Sequence, residues 1–302
     1  MPFEHGRRSL LEIRRASSGT TIGFIGGRLA LVTTPSDDPK GLPGTHPVLP
    51  REPVQRWRLL LARDAAGSRL VQREQQAAWE EALAGSGLPV AGLDAARPRP
   101  RFAVAAPLGG AIRGEAELVD LWLVERLPVW RVRETLVGRL PAGWHLLDLY
   151  DVWLGEPPLP GQVVASRYRA TLDAQAADPA ALASAASELL AAATLPRERQ
   201  KGERIVAYDL RPLLADLQVV PSTGAPDRLE VRMTLRHDPE RGVGRPDEAM
   251  DALAELAGVG LVPIALVREG LELADRSLKE AAPVRRAAPA RRPQGQGGRP
   301  PA

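Results

Sequence analysis

Residues 87–120 read Gly87-Leu88-Pro89-Val90-Ala91, then Arg97-Pro98-Arg99-Pro100-Arg101-Phe102, then Ala106-Pro107-Leu108-Gly109, and close with Glu115-Ala116-Glu117-Leu118-Val119-Asp120. In order these are a helix end, a turn of alternating Arg and Pro, a short apolar strand, an acidic loop and a second strand. Working outward, Trp57 to Arg63 reads as a strand upstream. Glu74 to Ser86 reads as an amphipathic helix with Ala77, Ala78, Trp79, Ala82 and Leu83 inward, ended by Gly85 and Gly87. Phe102 to Ala106 and Leu118 to Val124 are the two inner strands. Downstream, Val129 to Leu140 is helical until Pro141 and Gly143 stop it, and Trp144 to Trp153 returns as a strand. The order is βαββαβ, the split-βαβ or ferredoxin-like arrangement.

The order recurs in the second half. Arg167 to Leu172 is a strand, Pro179 to Thr194 an Ala-rich helix, and Arg204 to Leu210 a strand. A short helix or strand occupies Leu213 to Val219, and Leu229 to Arg236 alternates clearly as a strand. Arg245-Pro246-Asp247-Glu248 opens a helix with Pro in its favoured first turn, reaching about Leu256, and Val262 to Val267 closes the set. The expected fold is α+β, with two ferredoxin-like (βαββαβ) modules in tandem over residues 55–160 and 161–282. Residues 1–54 form an N-terminal appendage, in which Ile22-Gly23-Phe24-Ile25-Gly26-Gly27 and Leu29-Ala30-Leu31-Val32 pair as a hairpin ahead of a Pro/Gly linker. No Lys-Ser/Thr pair follows Gly26-Gly27, so a turn and not a phosphate loop is expected there. Residues 283–302 are expected to be disordered.

Composition narrows the chemistry. The 302 residues are 44% apolar and 25% charged, with no cysteine, which excludes disulfides, thiolate metal sites and Cys nucleophiles. An iron–sulfur cluster, which radical SAM chemistry needs, has no thiolates to hold it. The net charge of +3 is more than accounted for by the five arginines of residues 283–302, so the remainder is slightly acidic. No uninterrupted apolar run approaches about 18 residues and no signal-peptide order opens the chain, so a cytoplasmic protein without membrane contact is expected.

The quoted stretch resembles one family, the radical-SAM-linked (radical-SAM-associated) proteins, over about residues 55–273. The second half of the resemblance is carried by Lys201-Gly202-Glu203-Arg204, Tyr208-Asp209-Leu210-Arg211-Pro212, Gly244-Arg245-Pro246-Asp247-Glu248 and Val267-Arg268-Glu269. It implies an accessory module acting with a separate radical SAM protein, in a setting of RNA or ribosome biology. The chain departs from the family at two places. Where a Phe-Leu-Ser-His-x-Asp signature is typical, it reads Arg69-Leu70-Val71-Gln72-Arg73-Glu74, with Gln72 and Glu74 in place of the His and Asp. Where Ser-x-Gly-Phe-Asn-Pro-His-Pro-Lys is typical, it reads Leu93-Asp94-Ala95-Ala96-Arg97-Pro98-Arg99-Pro100-Arg101. A His pair with an adjacent Asp could hold metal or move protons. This chain keeps neither His.

The candidate binding residues are cationic. Arg97, Arg99 and Arg101, alternating with prolines, form a comb able to grip phosphate or an acidic face, or a solvated loop. Lys201, Arg204 and Arg211 surround Asp209, and Arg245 opens a helix. Asp209 is either an acid in a cleft, as a pseudouridine synthase would need, or the partner of a structural ion pair. The histidines (His5, His46, His145 and His237) lack ligand spacing, and neither a metal nor a cofactor is expected. Trp57, Trp79, Trp122, Trp144 and Trp153 are expected to pack the first module, or to offer stacking platforms for bases. The leading expectation is a non-catalytic RNA- or ribosome-related binding module. An RNA-modifying enzyme using Asp209 and a protein–protein scaffold are the alternatives.

Overall fold

The computed structural model describes residues 21–25 and 28–32 by their backbone, and residues 50–69, 71–175 and 177–274, with the side chains of Ser68 and Lys201 outside the description. The first unit, residues 1–48, contributes strands β1 (Thr21–Ile25) and β2 (Arg28–Val32), which pair antiparallel as the hairpin expected there. Residues 283–302 lie outside the described residues.

The described residues of the second unit, residues 49–302, form a mixed α+β fold with four helices on a large, mostly antiparallel sheet. Its first half holds β3 (Gln55–Arg63), α1 (Gln72–Ala84), β4 (Phe102–Val104), β5 (Arg113–Leu123), α2 (Val129–Leu136) and β6 (Trp144–Val152). Its second half holds β7 (Val163–Asp173), α3 (Pro179–Ala191), β8 (Pro196–Lys201), β9 (Arg204–Asp209), β10 (Leu214–Pro221), β11 (Arg228–Asp238), β12 (Gly242–Val243), α4 (Pro246–Ala257) and β13 (Ala265–Leu273).

The sheet runs β10-β11-β7-β13-β5-β3-β6, with β4 on β5 and β12 on β11. It crosses the boundary expected near residue 160 without a break. The join is the parallel contact of β13 with β5, where Val267 pairs with Arg113 and Arg268 with Gly114.

The strands alternate as their sequences require. Trp57, Leu59 and Leu61 of β3, with Val119, Leu121 and Leu123 of β5, meet Trp79 and Leu83 of α1 and Val132 and Leu136 of α2. On the same face, Tyr168, Ala170 and Leu172 of β7, with Val231, Met233 and Leu235 of β11, meet α3 and α4. The opposite face carries a charged knot. Asp120 accepts hydrogen bonds from Arg56 Nε (2.9 Å) and Arg58 Nε (2.8 Å), and all three side chains are almost fully buried. The Arg56 guanidinium lies 4.9 Å from the Trp122 ring. Such a buried triad is held by its complete hydrogen bonding, because an unpaired charge there would cost several kcal/mol.

Helix ends follow local chemistry. The Glu74 carboxylate accepts from the Val71 N–H (3.1 Å) at the start of α1. The Asp178 side chain caps α3 through the Ala180 N–H (3.1 Å). Gly258 ends α4 at φ 68°, where a residue without Cβ is favoured.

Three sequence expectations are corrected. Arg204 to Leu210 is not a strand of the main sheet. Among the described residues β9 pairs only with β8, through a turn at Gly202 (φ 62°), as a separate two-stranded hairpin, and β10 takes the expected place in the sheet. The reason is the apolar pattern: residues 204–207 are exposed, whereas Leu214 and Leu217 of β10 are buried. Trp153 lies outside the core and is 71% exposed, because β6 ends at Val152, whereas Trp57, Trp79, Trp122 and Trp144 are buried. In α1 the buried stripe narrows to Trp79 and Leu83, with Ala77 exposed.

Candidate functional site

The helix-bearing face of the sheet carries a polar row where the two halves join. Strand alternation places Glu117 of β5, Arg268 of β13, Tyr168 and Ser166 of β7 and His237 of β11 on that face, on four adjacent strands. The Arg268 guanidinium donates from Nε to Glu117 (2.9 Å) and from Nη2 to the same carboxylate, and both side chains are 1% exposed. Burial opposes the Arg268 charge, but the Glu117 carboxylate outweighs it and holds the arginine pKa above its ordinary value. His237 Nε2 lies 2.8 Å from Ser166 Oγ. Burial, reinforced by the nearby Arg268 charge, pulls its imidazole down to about 4. His237 is therefore neutral near pH 7, a hydrogen-bonding group and a poor proton acceptor.

Above this row opens a cavity of about 1060 Å³. One wall is the segment 105–112, whose carbonyls are gripped by two buried guanidiniums. Arg63 donates to the oxygens of Leu108 (3.3 Å), Gly109 (2.7 Å) and Ile112 (2.5 Å), and Arg268 Nη2 to Ala106 (2.8 Å). Burial lowers the Arg63 pKa, Glu117 partly restores it, and Arg268 lowers it further. The facing wall is the start of α4, with Gly244, Arg245, Pro246 and Asp247. Arg199 borders the cavity from the β8–β9 hairpin. Its guanidinium pairs with Glu248 through Nε (2.8 Å) and Nη2 (2.6 Å) and lies 4.6 Å from the Tyr208 ring. Burial, together with the Glu248 carboxylate beside it, pushes the Tyr208 hydroxyl up to about 12.

A second, smaller pocket of about 240 Å³ adjoins the first and shares Gln72, Ala106, Pro107 and Leu108 with it. Its deep walls are Trp79 and Trp144, in an edge-to-face pair at 5.3 Å, and Phe102, 6.0 Å from Trp79. Gln72, Gln75 and Gln76 of α1 line it, and Glu117 reaches it from the sheet.

Of the residues singled out from sequence, Gln72 and Arg245 line this site. Glu74 caps α1 instead. Arg97, Arg99 and Arg101 are exposed and line neither cavity. Their segment is pinned by Arg99 N–H to Gly92 O (3.0 Å) and Arg101 N–H to Ala91 O (2.8 Å), and the Arg101 guanidinium lies 5.0 Å from the Trp122 ring. The turn requires glycine: Gly92 has φ 87°, and a Cβ there would lie 2.3 Å from Arg99 O.

The second cationic group does not converge. Arg204 is exposed on the hairpin, and the Lys201 side chain lies outside the described residues. Arg211 spends its guanidinium on the carbonyls of Leu190 (2.5 Å) and Leu214 (2.8 Å). Asp209 Oδ1 accepts from the N–H groups of Leu195 (2.7 Å) and Arg211 (2.9 Å), which ties off the base of the hairpin. Asp209 does not line the cavity. His5 and His46 lie outside the described residues. Among the described residues no three His, Cys, Asp or Glu are grouped to hold a metal. None of their helices is long and apolar enough to cross a membrane.

Sequence reading missed Arg63, Glu117, Tyr168, Arg199, His237 and Arg268 as site residues. A signal was present. The segments Arg69 to Glu74, Ala106 to Gly109, Glu115 to Asp120, Gly244 to Glu248 and Val267 to Glu269 all reach this one region.

The model of a bacterial family, described as uncharacterized protein conserved in bacteria (DUF2344), matches residues 66–246, inside the span of the sequence resemblance. That match carries no link to radical SAM chemistry. No curated protein matches the chain. Among solved structures, similarity is found to a chain of the crystal structure of a Cbf5-Nop10-Gar1 complex. It has 10% identity and a TM-score of 0.39, covering 70% of this chain and 47% of that one. The present chain thus spans about half the length of that protein, and a likeness so distant carries no argument about fold or role.

Proposed function

The chain belongs to the DUF2344 family of uncharacterized bacterial proteins, and from that premise we propose that it is a non-catalytic accessory module that binds RNA and acts beside a separate radical SAM protein. The observation that carries the reading is the paired cavity: an aromatic-walled pocket continuous with a larger space bordered by Arg199 and Arg245. Unstacked bases are taken up on aromatic and apolar walls, while arginines meet the sugar–phosphate strand. At about 1060 Å³ the larger space stands at the top of the roughly 300–1,000 Å³ typical of ligand sites. The neutral state of His237 and the engagement of Asp209 favour binding over acid–base chemistry. The exposed Arg97, Arg99 and Arg101 supply a second phosphate contact. An RNA-handling role implies the cytoplasm.

The finer fold reading goes with this proposal. In the first half β6-β3-β5-β4 follows the order fourth-first-third-second, and in the second half β13-β7-β11-β10 does the same. Both orders support tandem ferredoxin-like modules fused edge to edge.

The test is equilibrium binding of the full chain to single-stranded RNA across a salt series. The comparison proteins are Arg245→Ala and the triple Arg97/Arg99/Arg101→Ala variant. Binding that weakens with salt, falls severalfold in each variant and shows a shallower salt slope is expected. Absence of binding at low salt, or binding indifferent to both variants, overturns the reading. A protein–protein scaffold is the second reading, favoured by exposed apolar side chains between residues 129 and 154, Trp130 at 59% and Trp153 at 71% above all. Partner capture that survives nuclease treatment would select it.

A further inference from the structure

We propose that the larger cavity is a receptor for a phosphate group, held by the Tyr168 hydroxyl and the His237 imidazole from the sheet and by Arg245 at the start of α4. It rests on the RNA reading only for the source of that phosphate.

The charge around the cavity is one-sided. Arg199, Arg245 and Arg268 line it, against the single carboxylate of Asp247. Arg199 is balanced by Glu248 and Arg268 by Glu117. Arg245 has no such partner: Glu248 gives both oxygens to Arg199, and the Arg245 guanidinium stands 4.0 Å away. Behind the wall of residues 105–112, Arg63 is buried and donates to the carbonyls of Leu108, Gly109 and Ile112, while its Nε meets no acceptor. Glu117 is the carboxylate that both Arg63 and Arg268 feel. Four guanidiniums thus stand against three carboxylates, and the one left over is buried. An uncompensated charge in a low-dielectric wall is costly, and its field reaches into the space beside it. An anion in the cavity compensates it.

The hydrogen-bonding groups point the same way. Arg268 spends Nε and Nη2 on Glu117 and on Ala106 O, and it also donates to the Tyr168 hydroxyl. A guanidinium only donates, so the Tyr168 oxygen accepts and its own O–H is left for the cavity it lines. Ser166 is fully buried, and among the described residues its hydroxyl meets one partner, His237 Nε2. The hydroxyl proton therefore goes to Nε2, which puts the ring proton on Nδ1. His237 lines the cavity as well and so presents a second donor. Arg245, half exposed at the cavity wall, is the third.

A hydroxyl, an imidazole N–H and a guanidinium together call for an acceptor, and the surplus charge calls for an anion. These donors come from β7, β11 and α4, three different elements. A phosphate turns its oxygens in several directions and can meet all three, whereas the two oxygens of a carboxylate share one plane. At about 1060 Å³ the cavity has room beyond the phosphate for the group that carries it. That group is either an RNA strand or a small phosphorylated molecule.

The experiment titrates the full chain with inorganic phosphate, acetate, AMP and adenosine by calorimetry, and with single-stranded RNA in phosphate or in chloride of equal ionic strength. AMP is expected to bind at least ~10-fold more tightly than adenosine, because its phosphate adds charge-assisted hydrogen bonds. Tyr168→Phe and Arg245→Ala should each weaken phosphate and AMP severalfold, and urea midpoints verify that both variants fold. These losses, with RNA displaced by phosphate beyond the effect of chloride, support the site with RNA as the source. The same losses without displacement of RNA support the site and make a small phosphorylated molecule its ligand. If RNA also fails to bind at low salt, the RNA reading falls while the site stands. Acetate as tight as phosphate, adenosine as tight as AMP, or phosphate binding unchanged in either variant overturns the site. RNA binding with no phosphate binding overturns it too and leaves the RNA reading standing. Binding of none of the probes overturns both.

Discussion

Replacing Glu117 by Gln removes one negative charge from the floor of the site at constant volume. Glu117 and Arg268 are each 1% exposed, and the carboxylate accepts from both Nε and Nη2 of the arginine. The amide leaves one acceptor and turns an N–H donor toward a guanidinium that cannot give up its proton. Arg63, buried against the carbonyls of Leu108, Gly109 and Ile112, loses its attracting charge as well. Breaking a buried ion pair from one side costs about 3–5 kcal/mol. With a urea dependence of about 3 kcal/mol per molar, the unfolding midpoint should fall by roughly 1–1.7 M. The double variant Glu117→Leu/Arg268→Met should recover most of that loss, since it strands no charge. Urea unfolding followed by tryptophan fluorescence measures both. A single-variant loss below about 1 kcal/mol, or a double variant as unstable as the single, would refute the claim that this pair holds the site together.

Two further outcomes follow from the geometry. His237 is held near 4 against an ordinary value of 6.5, so above about pH 6.5 neither state carries its proton and stability is complete. As pH falls from about 6.5 toward 4 the unfolded chain takes up a proton that the folded one refuses. Stability should therefore drop by at most about 1.4 kcal/mol per pH unit, and His237→Gln should flatten that slope in urea midpoints between about pH 7 and 5. Equal slopes in the two proteins would refute it. Asp209→Ala strips two backbone N–H groups of their acceptor and should cost about 1–2 kcal/mol while leaving RNA affinity unchanged. A loss of affinity with stability intact would instead return Asp209 to a functional role.

Much of the fold could be read locally. The alternation of Leu229 to Arg236 and Pro246 in the first turn of α4 are short-range signals, and β11 and α4 stand within two residues of their expected places. The stop read at Pro141 and Gly143 came late: α2 ends at Leu136, just ahead of Gly138 at φ 79°. The exception shows how such reading fails. Arg204 to Asp209 has the length of a strand and became one, but its partner is β8, a stretch with no apolar alternation to announce it. Trp153 failed for a related reason: aromatic residues usually pack, and whether this one does depends on where β6 stops. The cationic candidates were chosen for their charge, which on an Arg-rich chain does not separate a ligand contact from a carbonyl clamp such as Arg211.

By itself the sequence determined the place and kind of most helices and of the apolar strands, and the absence of thiolate chemistry, because period, backbone preference and residue type act over one or two turns. Only the tertiary structure decided that the halves share one sheet and that their scattered motifs surround one cavity. The physical reason is that a buried charge has meaning only with its partner. Arg268 is an ordinary strand residue until the parallel pairing of β13 with β5 brings it to Glu117, 151 residues away. Four strands must come into register before Glu117, Arg268, Tyr168 and His237 form a row, and no local pattern encodes that register.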